Sequence, residues 1–349
     1  MPFVDAEGCH AMARHRPAIA LAVALILGAV TAVPAGATNP GGNGRITYAV
    51  SDDTGQSQIW IASADESNPT QLTFSANTSL ASDWSPDASR IAFDSDRTGD
   101  VEIYTMRPDG SDVVRLTFDP AFDAAPAYSP DGSELVWDHE AESEANGLYL
   151  MRASDGGNVR RLTVAPIQSG RYTIDMDPQF SPDGTRVAFS RIRFGAHSAQ
   201  SAVFVVTVET GAVRQLTPWG SGSTTLDWSP DGRRIVYESE TWHFPGAKGT
   251  QDIYVIDADG GGRRNLTNNP ISSAVGTCNN GSDCVGLRGY FSTDPVWAPD
   301  GTRILFVHTQ IVGGVFSCNL QTIAPNGAAR QVVADTPECE DEPDWESVP

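Results

Sequence analysis

Lysine is almost missing from this chain. Lys248 is the one copy in 349 residues, so nearly all of the 23 Lys and Arg side chains are arginine. Those arginines are scattered, as in Arg160-Arg161, Arg233-Arg234 and Arg263-Arg264, while 44 acidic residues set the formal net charge at −21. A surface for nucleic acid needs clustered cations against phosphates, so nucleic acid is not an expected partner. Sustained helical periodicity is missing beyond the first 37 residues, and so is any later apolar run long enough for a bilayer. No Gly-x-Ser-x-Gly elbow occurs, which argues against a hydrolase nucleophile of that type. Glycine and proline, by contrast, are plentiful at 33 and 23 copies, the composition of a turn-rich globular protein.

The N-terminus reads as an export signal. Arg14, His15 and Arg16 precede an apolar run from Ala18 to Val33, and Ala35-Gly36-Ala37 supplies small residues for cleavage after Ala37. Met12 is an alternative start. Cys9 precedes the apolar run, so a lipid-anchored cysteine is not indicated. The expected organisation is a signal peptide at 1–37, a short linker at 38–43 and one domain at 44–349, exported to the periplasm or outside the cell without a stable membrane span. Four cysteines then remain, Cys278, Cys284, Cys318 and Cys339, an even number for an oxidising compartment. Three pairings are open; locality favours Cys278 with Cys284 and Cys318 with Cys339. A zinc site is the rival reading, and no closely spaced pair of cysteine pairs supports it.

What the domain has in abundance is one turn. Trp84-Ser85-Pro86-Asp87-Ala88, Tyr128-Ser129-Pro130-Asp131-Gly132, Phe180-Ser181-Pro182-Asp183-Gly184, Trp228-Ser229-Pro230-Asp231-Gly232 and Trp297-Ala298-Pro299-Asp300-Gly301 are copies, and Asp344-Trp345-Glu346-Ser347 reads as a sixth cut short. Pro at the second turn position, Asp at the third and Gly at the fourth suit a type I turn between strands. The strand after the turn recurs six times, as Ile46-Thr47-Tyr48, Ile91-Ala92-Phe93, Leu135-Val136-Trp137, Val187-Ala188-Phe189, Ile235-Val236-Tyr237 and Ile304-Leu305-Phe306. A closing Leu-Thr recurs five times, at residues 72, 116, 162, 216 and 266, with Val332-Val333 in the sixth place. The first repeat lacks an aromatic turn and the last aromatic, Trp345, has no strands after it. Pairing the C-terminal segment with the sheet that opens at Arg45 closes six four-stranded repeats into a circle without a free edge. The expected fold is therefore all-β, a six-bladed β-propeller.

These beats, together with the Ser95-Asp96-Arg97-Thr98-Gly99 loop, resemble the TolB-type propeller repeat over essentially all of 44–345, without the α/β domain that precedes the propeller in TolB. The resemblance implies envelope work and a protein partner, the lipoprotein Pal in the family's namesake.

Long connections on a rigid scaffold are where binding usually lives. Segments 191–201, 239–251 and 268–293 are expected as long loops forming one raised rim, carrying Arg191, Arg193, Phe194, Trp242, His243, Phe244, Arg288, Tyr290 and Phe291, with Lys248 beside them. Aromatics with Arg dominate protein interfaces, although these side chains could equally anchor their own loops. One or three residues before the aromatics stand Asp83, Asp177, Asp227, Asp294, Glu342 and Asp344, on the strand expected nearest the channel. That spacing puts them on one strand face, either as ligands for Ca2+, the one cofactor the sequence suggests, or as acceptors for amides and arginines that tie repeat to repeat. His139 and His308 hold equivalent positions on opposite repeats and read as structural. His197 and His243, beside Glu238 and Glu240, leave a weak general-base pattern. Asp94-Ser95-Asp96 and Asp257-Ala258-Asp259-Gly260 lack the terminal glutamate of a calcium loop and read as hairpin connections. Two functions follow: a non-catalytic, monomeric, exported propeller binding a protein or envelope component through the long-loop face and channel mouth, or an exported enzyme acting on glycans there with carboxylates or a divalent metal.

Overall fold

The computed structural model describes residues 41–348 except 53–54, 66, 142–145, 167–171, 196–198, 244–247, 271, 274–276, 280–282, 286–287, 313–314 and 335–339; within 240–250, 271–289, 311–316 and 334–340 only backbone is described. The expected signal peptide and Cys339 lie outside the described residues.

Among the described residues the chain is all strand and turn, and no helix is long and apolar enough to cross a membrane. Strands β1 (Gly42–Ser51), β2 (Ser57–Ala62) and β3 (Thr70–Gln71) begin the first sheet. The second holds β4 (Ser79–Trp84), β5 (Ile91–Ser95), β6 (Glu102–Met106) and β7 (Val114–Arg115). The third holds β8 (Phe122–Tyr128), β9 (Glu134–Glu140), β10 (Gly147–Arg152) and β11 (Arg160–Arg161). The fourth holds β12 (Thr173–Phe180), β13 (Arg186–Phe194), β14 (Ala199–Thr207) and β15 (Val213–Gln215). The fifth holds β16 (Ser223–Trp228), β17 (Arg234–His243), β18 (Lys248–Asp257) and β19 (Arg264–Asn265). After β20 (Ser272–Ser273), β21 (Thr277–Asn279) and β22 (Asp283–Val285), the sixth holds β23 (Arg288–Trp297), β24 (Ile304–Val312), β25 (Val315–Ile323) and β26 (Gln331–Ala334). The last strand, β27 (Glu340–Val348), pairs antiparallel with β1, with Ile46 opposite Trp345 and Thr47 opposite Asp344. Strand structure starts at Gly42, two residues inside the segment expected as linker, because Gly42 and Asn43 already pair with Val348 and Ser347.

The turn motif makes these hairpins by an exchange of hydrogen bonds. In the third sheet the Gly132 amide donates to the Ser129 carbonyl at 2.8 Å, the Ser129 hydroxyl donates to Asp131 at 2.7 Å, and the Glu134 amide donates to Ser129 Oγ at 2.9 Å. Gly132 takes φ 72°, where a side chain is unfavourable. The strands after the turn, such as Ile91-Ala92-Phe93, are buried on both faces because each sheet is sandwiched between two others, so they read as unbroken apolar runs. Six hydrophobic clusters fill the six contacts between neighbouring sheets, and one of them joins Ile46 and Tyr48 of the first sheet to Val296, Leu305 and Val307 of the sixth. Arginines extend this packing: Arg45, Arg186 and Arg234 lie 4.8, 4.7 and 4.9 Å over the rings of Trp84, Trp228 and Trp297 of the following sheet.

Candidate functional site

The leading strands of successive sheets, β27, β4, β8, β12, β16 and β23, touch in sequence, and β23 in turn touches β27. Each carries a register shift just before its aromatic, a bulge that admits one extra residue. At the bulge Ala81, Ala125, Asp177, Asp294 and Glu342 adopt positive φ between 50° and 56°. The extra residue breaks the two-residue alternation. The acids one and three positions before the aromatic therefore form two sets, not the single face their spacing suggested.

The set nearer the aromatic ties sheets together. Asp83 accepts the Tyr128 amide at 2.6 Å, Asp227 the Trp297 amide at 2.7 Å and Asp344 the Trp84 amide at 3.1 Å, each reaching the aromatic of the following sheet. The bulge set holds Asp177, Asp294 and Glu342, all buried. Glu342 Oε2 accepts the Ala81 amide at 2.8 Å, whereas Glu342 Oε1, Asp177 Oδ2 and Asp294 Oδ1 have no hydrogen-bond partner. Burial pushes Asp83, Asp177, Asp294 and Glu342 well above the ordinary carboxylate range, and neighbouring carboxylates add to it.

Sequence reasoning missed Asp138 and Asp341, took Glu238 only as a neighbour of His243, and placed Asp94 in a hairpin connection, whereas Asp94 is buried on β5 because the strand continues through Ser95. Asp94, Asp138 and Glu238 follow the aromatic of the second strand in their sheets, and Asp341 sits beside Glu342. Asp94 accepts the Ala125 amide at 3.1 Å, Glu238 accepts from Gln251 at 2.9 Å, and Asp138 Oδ1 is buried without a partner. Burial raises Asp94 and Glu238 to about 7 and Asp341 to about 6. The signal was present in Phe93-Asp94, Trp137-Asp138 and Tyr237-Glu238, an acid in the same slot of an otherwise apolar strand. The five carboxylates proposed as calcium ligands do not bring three ligand atoms within 4.8 Å of one another; among the described residues that occurs at Asp119, Asp123 and His139.

The rim is built differently from the expected loops. Segments 191–201 and 239–251 are prolonged hairpins, β13 with β14 and β17 with β18, whose paired strands run nine and ten residues. Segment 268–293 joins the second of these hairpins to the sixth sheet: β20 pairs with both β18 and β23, and Gln251 lies opposite Phe291, which merges the fifth and sixth sheets. Arg191 is not a rim residue. It is buried, held by Asp175 at 2.5 and 2.6 Å and stacked 5.3 and 5.0 Å from Phe189 and Phe204. Arg193 is half-buried, bound to Gln200 at 3.0 and 2.6 Å and lying 4.1 Å over Trp219. Phe194 packs 6.0 Å from Tyr172. Tyr290 and Phe291 are half-buried, with Tyr290 lining a polar cleft of about 490 Å3 beside His308, Gln310, Asn319 and Arg330. Trp242, His243 and Arg288 stand on β17 and β23, but their side chains, like Phe244, His197 and the side chain of Lys248, lie outside the described residues. So do the sulfurs of Cys278 and Cys284, whose backbones face each other across β21 and β22. Cys318 is buried and disulfide-bonded.

A second feature escaped the sequence reading. Phe74, Phe118 and Val164 each follow the closing Leu-Thr pair of consecutive sheets and are 77%, 72% and 62% exposed. Three large apolar side chains at one repeat position form an exposed apolar series.

Radially packed four-stranded sheets with a common leading-strand bulge define a β-propeller. The chain matches the family model described as the TolB beta propeller domain over residues 28–163 and 119–244, and it belongs to that family. A Protein TolB homolog of Chlorobium luteolum is 29% identical over 165 residues, 47% of this chain and 35% of that protein; the curated relatives the chain matches are covered over 35% of their length or less. Among solved structures, TolB from Acinetobacter baumannii superposes with TM-score 0.63 at 22% identity, covering 87% of this chain and 67% of that one. An oligogalacturonate lyase in complex with manganese superposes with TM-score 0.53 at 14% identity, covering 86% and 75%. Both likenesses concern the fold.

Proposed function

We propose that the chain is an exported, non-catalytic, monomeric TolB-like propeller, six-bladed and closed by β27 on β1, that acts as a protein-binding scaffold of the cell envelope. The observation that carries the binding role is the exposed series Phe74, Phe118 and Val164, on the same repeat connection that precedes each leading strand. Apolar groups held in water at a fixed repeat spacing are stabilised by a partner surface, and the prolonged hairpins of the fourth and fifth sheets give that partner a wall on the far side. Trp242, His243, Phe244, Arg288, Tyr290 and Phe291 are the wall residues we assign to contact. A TolB partner in the family's sense is an envelope protein, and the periplasm or extracellular space is the location that fits the N-terminal signal. Within this reading Cys278 pairs with Cys284, and Cys318 with Cys339.

The test is capture from envelope extract by the mature chain and by the Phe74→Ser/Phe118→Ser double variant. Both side chains are exposed, so the variant keeps its fold; loss of the captured proteins is expected. Identical capture by the two would overturn the binding face.

One observation favours a second reading. Asp94 and Glu238, buried in the centre and raised to about 7, would have the proton affinity of general acids at neutral pH, which suits an exported enzyme on glycans. Turnover of a glycan panel that includes oligogalacturonates, with and without Mn2+, and its abolition in Glu238→Gln separate this reading from the first. Ca2+ is the cofactor we assign to the centre, held as a hydrated ion against the unpartnered oxygens of Asp177, Asp294 and Glu342. Millimolar Ca2+ then raises the melting temperature of the parent and not of Asp294→Asn; equal melting with and without Ca2+ removes the ion from the account.

A further inference from the structure

We propose that Asp119, Asp123 and His139, at the end of the third sheet remote from its Ser-Pro-Asp-Gly turn, form a binding site for a divalent transition-metal ion, Zn2+ by the chemistry of its donors. Asp123 on β8 and His139 on β9 are directly opposite in register, with His139 Nδ1 and Asp123 Oδ1 2.7 Å apart, and one ligand atom from each of the three residues lies within 4.8 Å of the others.

The repeat supplies its own controls. The same cross-strand position holds Ser79 with Ser95, Asp175 with Arg191, Ser223 with Ser239, and Ser292 with His308. Ser79 and Ser95 bond each other at 3.0 Å, and Ser292 bonds His308 at 3.2 Å. Arg191 takes both oxygens of Asp175, and the Thr163 hydroxyl adds a third bond at 2.7 Å. In the third sheet this completion fails. The Trp137 indole donates at 2.9 Å to Asp123 Oδ1, the oxygen His139 already uses, and Asp123 Oδ2 is left fully buried with no partner. Glu102 Oε2, buried close enough to feel the Asp123 charge, is likewise unpartnered. A buried carboxylate oxygen without a donor keeps its desolvation cost uncompensated, so something positive belongs beside it.

The neighbouring cations are committed elsewhere: Arg115 binds Glu102 and the Thr117 carbonyl, and Arg161 binds the Thr163 and Asn146 carbonyls. Asp119 is the extra element. It is exposed, its Oδ1 is fixed by the Ala121 amide at 2.9 Å, and it adds a second carboxylate where the ion would arrive from solvent. One imidazole nitrogen with two carboxylates is a donor set for Zn2+ and its borderline neighbours, whereas Ca2+ prefers oxygen alone. The Tyr149 ring 4.7 Å from His139 and the Trp137 bond to Asp123 hold both ligands in place, as supporting residues do around metals.

The mature chain, stripped with EDTA and dialysed, is titrated with ZnCl2 by calorimetry beside Asp119→Asn, His139→Gln and the distant, exposed Glu209→Gln, with far-UV circular dichroism as the fold check. The expected result is that the parent and Glu209→Gln bind Zn2+ alike, with binding weakened about tenfold or more in the other two. Co2+ should give visible d–d bands in the parent that His139→Gln abolishes. Asp119 is exposed, so its variant remains informative if His139→Gln misfolds. A parent with no affinity tighter than about millimolar, or an Asp119→Asn chain that titrates like the parent, overturns the site.

Discussion

Replacing Asp94 by Asn should change stability little at pH 4 and raise it at pH 8. Asp94 is buried and accepts the Ala125 amide at 3.1 Å, a bond that an Asn carbonyl oxygen can keep. Burial, with a smaller contribution from Asp96, moves its pKa from 3.8 to about 7. A raised acid favours the protonated folded state, so its contribution is complete below the unfolded value and is lost as pH rises through the folded one. Each unit corresponds to 1.36 kcal/mol, which makes the cost of ionisation about 4 kcal/mol above pH 7, and about 2–4 kcal/mol once the surroundings relax. Asn mimics the neutral acid and escapes that cost. For a chain of this size the gain at pH 8 amounts to roughly 3–6 °C in melting temperature. Thermal melts of parent and variant at pH 4 and 8, in EDTA to remove adventitious cations, give the answer. Parallel pH profiles, or equal destabilisation at both pH values, would refute the assignment of a buried, ionisable Asp94.

Three further pairs of substitutions read the packing. Asp227→Ala removes the acceptor of the Trp297 amide at 2.7 Å and should cost about 1–3 kcal/mol more than Asp227→Asn in urea unfolding. Arg191→Met strands Asp175 and should cost about 3–5 kcal/mol, a loss that adding Asp175→Asn partly restores. Gly156→Ala forces a side chain onto φ 70° and a Cβ to 2.5 Å from the Leu116 carbonyl oxygen, so about 2 kcal/mol or more is expected; Gly132→Ala, at φ 72° with nothing nearer than Pro86 Cδ at 3.6 Å, should cost about 1–2 kcal/mol.

The fold was legible because its information is local and repeated. Pro, Asp and Gly mark each turn, and the apolar runs between them mark strands buried on both sides. The unmatched Trp345 pointed to the β27 pairing that the structure contains. The site was less legible, since it depends on what alternation hides. A single extra residue before each aromatic shifts which acids face which neighbour, so Asp83 and Asp177 separate despite their common spacing logic. The expected loops became hairpins because Arg186–Phe194 and Arg234–His243 are rich in β-branched and aromatic residues that continue pairing past the usual strand length. Arg191 was misplaced for the same reason: counted as the first loop residue, it is the sixth residue of the strand after the turn and is bound to Asp175. Phe74 and Phe118 were overlooked because an apolar residue after Leu-Thr looks like the end of a strand.

The bulges explain why so many acids gather at the centre. Five non-glycine residues at positive φ cost on the order of 1–2 kcal/mol each, a strain that persists only where surrounding contacts outweigh it. The bulge turns an amide out of its own ladder, and a carboxylate of the preceding sheet receives it: Glu342 for Ala81, Asp94 for Ala125, Glu238 for Asp294. The second carboxylate set repeats the device one step on, at Tyr128, Trp297 and Trp84. Sheet-to-sheet attachment at the axis is thus made by acids and backbone amides, with no basic side chain needed where the strands are closest. Their accumulated negative charge is the consequence of that design, and protons offset it at low pH. Stability that falls as pH rises in EDTA is therefore expected of the joint itself, separable from any contact made by the exposed apolar series outside it, and its recovery by a divalent ion is what the proposed Ca2+ site predicts.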